Sequence, residues 1–249
     1  MSKLTPEDVV LRYSKRGMNI LKKYLKDGYC RTAAEKLLHA ERGTVLLTTG
    51  FYVAGYAETD GPLGTVAVAE ALNQLGFHSV VVTDKYCKGF FELKQLDVEY
   101  VDIAADEQVY EDILDKYHPV YMISIERCGE NAEHEYANMR GVSITSETAA
   151  IDHLFELAPE KHIPTIGVGD GGNEIGMGNV KDIISEKLEQ NPCVVPVDDL
   201  IIATTSNWGA YALTAWLQKL SGEEVLFTYE EAEPYLAATL EIGSVDGVL

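Results

Sequence analysis

Positive charge is what this chain has least of. Its 249 residues hold 20 Lys and Arg against 40 Asp and Glu, a formal net charge of −20. Non-specific nucleic-acid binding and docking on anionic membranes both require basic surface, so the balance argues against either partner. The acidity reads first as a device for solubility. Cysteine is scarce as well: Cys30, Cys87, Cys128 and Cys193, with no CxxC pair. Zinc-finger and thioredoxin spacings are therefore missing, and a disulfide framework is not expected in a chain this long. No apolar run approaches a membrane span. Met1–Glu7 lacks the apolar core of a signal peptide. A cytoplasmic protein is the expectation. Walker A, G-x-S-x-G and HExxH motifs are all missing. The six histidines form no ligand-spaced set, and His134, between Glu133 and Glu135, reads as a surface residue. No repeat, linker or low-complexity stretch stands out. One domain over 1–249 is expected, with 1–42 a helical segment packed on it.

What is present is an alternation of short, continuously apolar runs with amphipathic ones. Thr44–Thr49, Ser79–Thr83, Val98–Ile103, Val120–Ile125, Ile163–Ile166 and Leu200–Thr204 read as strands, and Val142–Thr145 as a shorter apolar run. Strands apolar on both faces belong to a parallel sheet covered by helices on each side. The expected fold is α/β, a doubly wound, largely parallel, Rossmann-like three-layer sheet. Helices are predicted at Ala33–Ala40, Pro62–Leu75, Phe90–Leu96, Asp106–Tyr117, Glu147–Leu157, Val180–Leu188 and from Trp208 to Leu220. Thr5-Pro6-Glu7-Asp8 is a strong helix start, and the apolar period after it predicts one helix to Lys26. Its other face carries Arg12, Lys15, Arg16, Lys22, Lys23 and Lys26, suited to acidic surface of the same fold, to a second subunit, or to solvent.

The stretch Thr165–Asn179, rich in glycine and carrying Asp170, Asn173 and Glu174, organises the rest. Clustered glycine weakens regular structure and lets backbone approach a ligand. Right-handed crossovers place all strand C-termini along one edge. Thr48–Gly50, Asp84, Glu126, Arg127, Asp170–Glu174 and Thr205–Asn207 converge there, where open α/β sheets bind ligands, while Asp60 or Thr59 caps the helix opening near Pro62. Gly167-x-Gly169-x-x-Gly172 matches the dinucleotide fingerprint, but Asp170 and Glu174 would face a pyrophosphate unfavourably. A nucleotide-binding oxidoreductase is thus the weaker alternative. Asp170 and Glu174 offer oxygen ligands to a divalent metal, and Asp and Asn also shape turns. Arg127 suits either a bidentate clamp on a carboxylate or an internal ion pair. Ser206 and Asn207 are donors at a strand end, or caps for the following helix.

Gly167–Gly178, with Ser124-Ile-Glu-Arg127 and Ser206–Ala212, resembles the catalytic domain of the D-glutamate cyclases. Thr49-Gly-Phe, Glu58–Gly64 and Val245-Asp-Gly247 are similar too. The resemblance spans about 43–220 and weakly the end, and it implies further sequence after Gly247. Members convert D-glutamate to 5-oxo-D-proline and water, and the mitochondrial ones carry an additional domain. The resemblance implies a small acidic amino acid as partner and no required cofactor; a homo-oligomer stays open. On that reading Asp170 or Glu174 binds the ammonium and takes its proton, Arg127 holds a carboxylate, and Glu126 assists loss of water. Backbone N–H groups of Gly171, Gly172, Asn173 and Glu174, helped by Ser206 or Asn207, meet the oxyanion. Thr49 and Asp60 complete the pocket. A module that binds an acidic amino acid without turning it over is the other alternative.

Overall fold

The computed structural model describes residues 4–247. Its centre is a sheet of six parallel strands: β1 (Thr44–Thr48), β4 (His78–Thr83), β5 (Asp97–Tyr100), β6 (Tyr121–Ile125), β7 (Thr165–Gly169) and β8 (Asp199–Ile202), in the order β5-β4-β1-β6-β7-β8. Val45–Leu47, Val80–Val82, Met122, Ile123, Ile166 and Ile201 are fully buried, which is why these runs are apolar at every position rather than at alternate ones. A small antiparallel hairpin, β2 (Tyr52–Val53) with β3 (Tyr56–Ala57), sits apart from the sheet.

Helices surround the sheet in three layers. They are α1 (Pro6–Val10), α2 (Met18–Leu21), α3 (Tyr29–His39), α4 (Pro62–Gln74), α5 (Gln108–Tyr117), α6 (His153–Lys161), α7 (Lys181–Leu188), α8 (Ser206–Ser221) and α9 (Tyr229–Ile242). α8 packs against both α3 and α4, and α5 packs against α6. The strand order reverses between β1 and β6, so their carboxyl ends diverge and leave a crevice.

The sheet matches expectation; several helices do not. The single N-terminal helix is broken into α1 and α2. Tyr13 has φ +66° and Gly17 φ +88°, left-handed turns that an α-helix cannot contain. A Cβ on Gly17 would also lie 2.3 Å from Cδ2 of Leu188, so the leucine side chain would have to shift. The intervening segment is strapped to the end of β8, where Thr204 N–H donates to the Val10 carbonyl and Thr204 Oγ1 to that of Arg12. Between Phe90 and Leu96 only the 3₁₀ turn Glu92–Lys94 forms. Val142–Thr145 is no strand: Ser143 makes an isolated bridge to Ala137, and Ile144 packs with Phe51, Cys128 and Tyr136. The helix expected from Glu147 begins at His153. α9 was not expected, although Thr228 and Glu231 form a capping box at its start. The glycine-rich run also begins inside β7. A Cβ on Gly167 would lie 2.6 Å from the Ile175 carbonyl oxygen and one on Gly169 3.1 Å from Glu174 Cβ. These glycines let the returning segment lie against the strand.

Candidate active site

Glu126 follows β6 directly and has φ +49°. A bulky residue rarely adopts this conformation, and such outliers concentrate at functional sites. The turn leaves the Glu126 carboxyl buried at the crevice, 3% exposed. There it accepts a very short hydrogen bond from Ser206 Oγ. Asp170 follows β7 and is fully buried. Its Oδ1 meets Arg16 Nη1 at 2.5 Å, while Oδ2 has no hydrogen-bond partner. Asp60 precedes α4 and accepts from the backbone N–H groups of Ser206 (2.9 Å) and Asn207 (2.7 Å), which caps α8. Oxygens of Asp60, Glu126 and Asp170 lie within 4.8 Å of one another.

Crowding carboxyl groups out of water favours their neutral forms. Burial pushes Glu126 well above the usual carboxylate range, followed by the charges of Asp170, Glu174, Asp60 and Glu58. Asp170 is pushed well up by burial and then by Glu174 and Asp60, with Arg16 opposing. Burial raises Asp60 despite its backbone donors. Glu58 is raised to about 8, by burial and then by Asp60. Burial alone would lower Arg16, but Asp170, Glu126 and Glu174 outweigh it and the guanidinium is held charged.

A cavity of about 490 Å³ reaches this cluster at Glu126, while Asp60 and Asp170 lie behind its lining. Arg16, Glu58, Glu126 and Asn173 line it, with the hairpin at Phe51–Ala54 and the loop 138–144. Thr49 Oγ1 is buried without a partner. A Cβ on Gly61 would lie 2.6 Å from that oxygen and 2.8 Å from Glu126 Cβ, so the hydroxyl sits beside the Glu126 stem.

Several expected site residues are engaged within the fold. Arg127 is no substrate clamp. Its guanidinium is fully buried and donates to Asp84 Oδ2 (2.7 Å) and to the carbonyls of Gly50 (2.8 Å) and Ala149 (2.6 Å). The internal ion pair is the arrangement found. Glu174 is engaged within its own loop, where its oxygens accept from the N–H groups of Asp170 (3.2 Å), Gly171 (2.6 Å) and Gly172 (2.7 Å). The same bonds take Gly171 and Gly172 out of any oxyanion hole, and they leave no cradle for a pyrophosphate. Asn207 is structural: its Oδ1 accepts from Gly61 N (3.0 Å) and Gly64 N (2.7 Å), and its Nδ2 donates to the Thr59 carbonyl. Asn173 lines the cavity, but its Nδ2 donates to the Ala137 carbonyl. The cluster that does form adds two residues the sequence reading had not singled out. Arg16 had been placed on a helix face, and Glu58 lay in a motif without a role. A cation that must reach a buried acid from a broken helix leaves no periodic signal.

A divalent cation could be held by Asp60, Glu126 and Asp170, whose hard oxygen donors suit it. Among the described residues no helix is long and apolar enough to cross a membrane.

Residues 7–249 match the family model described as D-glutamate cyclase-like, C-terminal. The chain is 34% identical over 212 residues to the human protein named D-glutamate cyclase, mitochondrial, covering 74% of this chain and 34% of that one. It thus spans about a third of that relative's length. Among solved structures, UDP-glucose 4-epimerase from Brucella ovis in complex with NAD is similar at 17% identity and TM-score 0.35, covering 51% of this chain and 35% of that one. The Bordetella bronchiseptica enzyme WbmG in complex with NAD is similar at 12% identity and TM-score 0.35, covering 73% and 51%. Likenesses of that size carry no functional argument.

Proposed function

The chain belongs to the D-glutamate cyclase-like family, C-terminal type, and on that premise we propose that it is a lyase that closes D-glutamate to 5-oxo-D-proline with loss of water. The observation that carries the reading is the buried pair Glu126 and Asp170 beside the Arg16 guanidinium. Lactam closure needs a neutral amine, a neutralised γ-carboxylate and a folded chain. Asp170 takes one proton from the ammonium as a carboxylate base. Glu126, held protonated by its surroundings, gives its proton to the γ-carboxylate. The amine attacks the γ-carbon, and the Asp170 proton leaves with the departing oxygen as water. The second nitrogen proton, lost as the adduct collapses, restores Glu126. Ser206 Oγ orients Glu126, and the unpartnered Thr49 hydroxyl is available to the developing oxyanion. Holding the substrate folded supplies much of the rate, since intramolecular attack responds strongly to orientation.

The reaction as written needs no cofactor. A divalent cation on Asp60, Glu126 and Asp170 would neutralise the γ-carboxylate in place of the Glu126 proton; dialysis against EDTA and readdition of Mg²⁺ tests it. We propose a cytoplasmic location, a reducing compartment that suits its four free, buried cysteines.

Incubation with D- and with L-glutamate, followed by NMR, is the test. Formation of 5-oxoproline from D-glutamate is expected. Tight binding of D-glutamate without 5-oxoproline would instead make the protein an amino-acid-binding module.

A further inference from the structure

Ring closure consumes the amine and the γ-carboxyl of the substrate. The α-carboxylate takes no part in it and still has to be placed near Glu58, Glu126 and Asp170. An uncompensated anion there is costly. Arg127 cannot help, because it is fully buried away from the cavity, with Nη1 and Nη2 bonded to Asp84 and to the carbonyls of Gly50 and Ala149. Arg16 lines the cavity, and its side chain is 29% exposed against none for Asp170. The contact between them runs through one nitrogen, Nη1. A guanidinium presents five N–H donors in a planar fork suited to carboxylates.

The position of Arg16 is held from both sides. Leu11 and Met18 are buried in the core, and the strap between them is bonded to Thr204. The Arg16–Asp170 pair is thus a fixed cation next to a fixed anion. An α-amino acid head is the complementary arrangement, an ammonium and a carboxylate on one carbon. We propose that Arg16 is the receptor for the α-carboxylate, with Asp170 taking the α-ammonium, and that this pair restricts the substrate to α-amino dicarboxylic acids. The proposal rests on the cyclase reading and deepens it. Glu126 at the γ-carboxyl supplies a third point, so the three contacts together distinguish enantiomers.

The discriminating ligand is 4-aminobutyrate, which has the same amine-to-carboxyl spacing and closes the same ring but lacks the α-carboxylate. Calorimetry should compare D-glutamate and 4-aminobutyrate on wild type, Arg16→Gln and Arg16→Lys, with thermal melts to confirm folding. A charged hydrogen-bonded contact predicts that wild type prefers D-glutamate by about 10- to 100-fold. In Arg16→Gln that preference should fall to within about threefold, through weaker binding of D-glutamate alone. Arg16→Lys, which keeps the charge without the fork, should lie between, and it carries the comparison if Arg16→Gln does not fold. An unchanged preference in the variants, equal weakening of both ligands, or no preference in wild type overturns the proposal. Wild type that binds D-glutamate selectively without forming 5-oxoproline removes the cyclase reading and leaves the receptor standing. Wild type that binds neither ligand overturns both.

Discussion

Asp170 offers the sharpest test of the mechanism on a single side chain. Asp170→Asn keeps the size and an acceptor for Arg16 but removes the charge and the basicity. Turnover should fall by about two orders of magnitude or more, the scale of a lost general base, while the melt stays close to wild type. Near-wild-type turnover would leave the mechanism without its base, and Glu174 could not replace it with both oxygens held by backbone donors. Asp60, Glu126, Asp170 and Ser206 were legible in the sequence because they follow or face buried strand ends. Of the two readings open for Arg127, the internal ion pair forms for a reason one residue upstream. Glu126 takes a left-handed turn, and its neighbour then points into the core toward Asp84. No sequence pattern announces positive φ on a glutamate.

Among elements, the buried strands were the readable part, since six apolar runs could hardly be placed elsewhere than in a covered parallel sheet. The N-terminal segment misled because apolar positions recur at helical spacing on both sides of the break, and the period was counted across it. Gly17 marks that break, and replacing it should show what the strap does. In Gly17→Ala the new methyl meets Leu188 and φ +88° becomes strained. A loss of about 1–3 kcal/mol is expected, with a raised KM for D-glutamate because the strap carries Arg16. Urea unfolding and steady-state kinetics check both. Wild-type KM in a destabilised variant would separate the strap from the site.

For the molecule as a whole, the buried acids set how stability depends on pH. Glu58 has an ordinary value of 4.5 and is raised to about 8 in the fold. Between those values the native state holds a proton that the unfolded chain has released, so stability falls as pH rises through that window. Asp60 and Glu126 are shifted upward too and act in the same direction. Wild type should therefore melt at lower temperature at pH 8 than at pH 6, and Glu58→Gln should lessen the decline. A melting temperature that rises over this range, or a decline untouched by the substitution, would contradict the assignment. The overall charge of −20 adds repulsion in the same direction.

The Glu174 carboxylate has a chemical meaning beyond its own loop. Three consecutive amides converge on it, the arrangement by which other α/β proteins capture phosphate. Here a tethered carboxylate fills the nest in place of an outside anion. Glu174→Ala should evict it, lowering the melting temperature and leaving the amides open to an outside oxyanion. Added sulfate should then raise the melting temperature of the variant more than that of wild type. An equal sulfate response in both would mean that the loop collapses once its internal anion is gone.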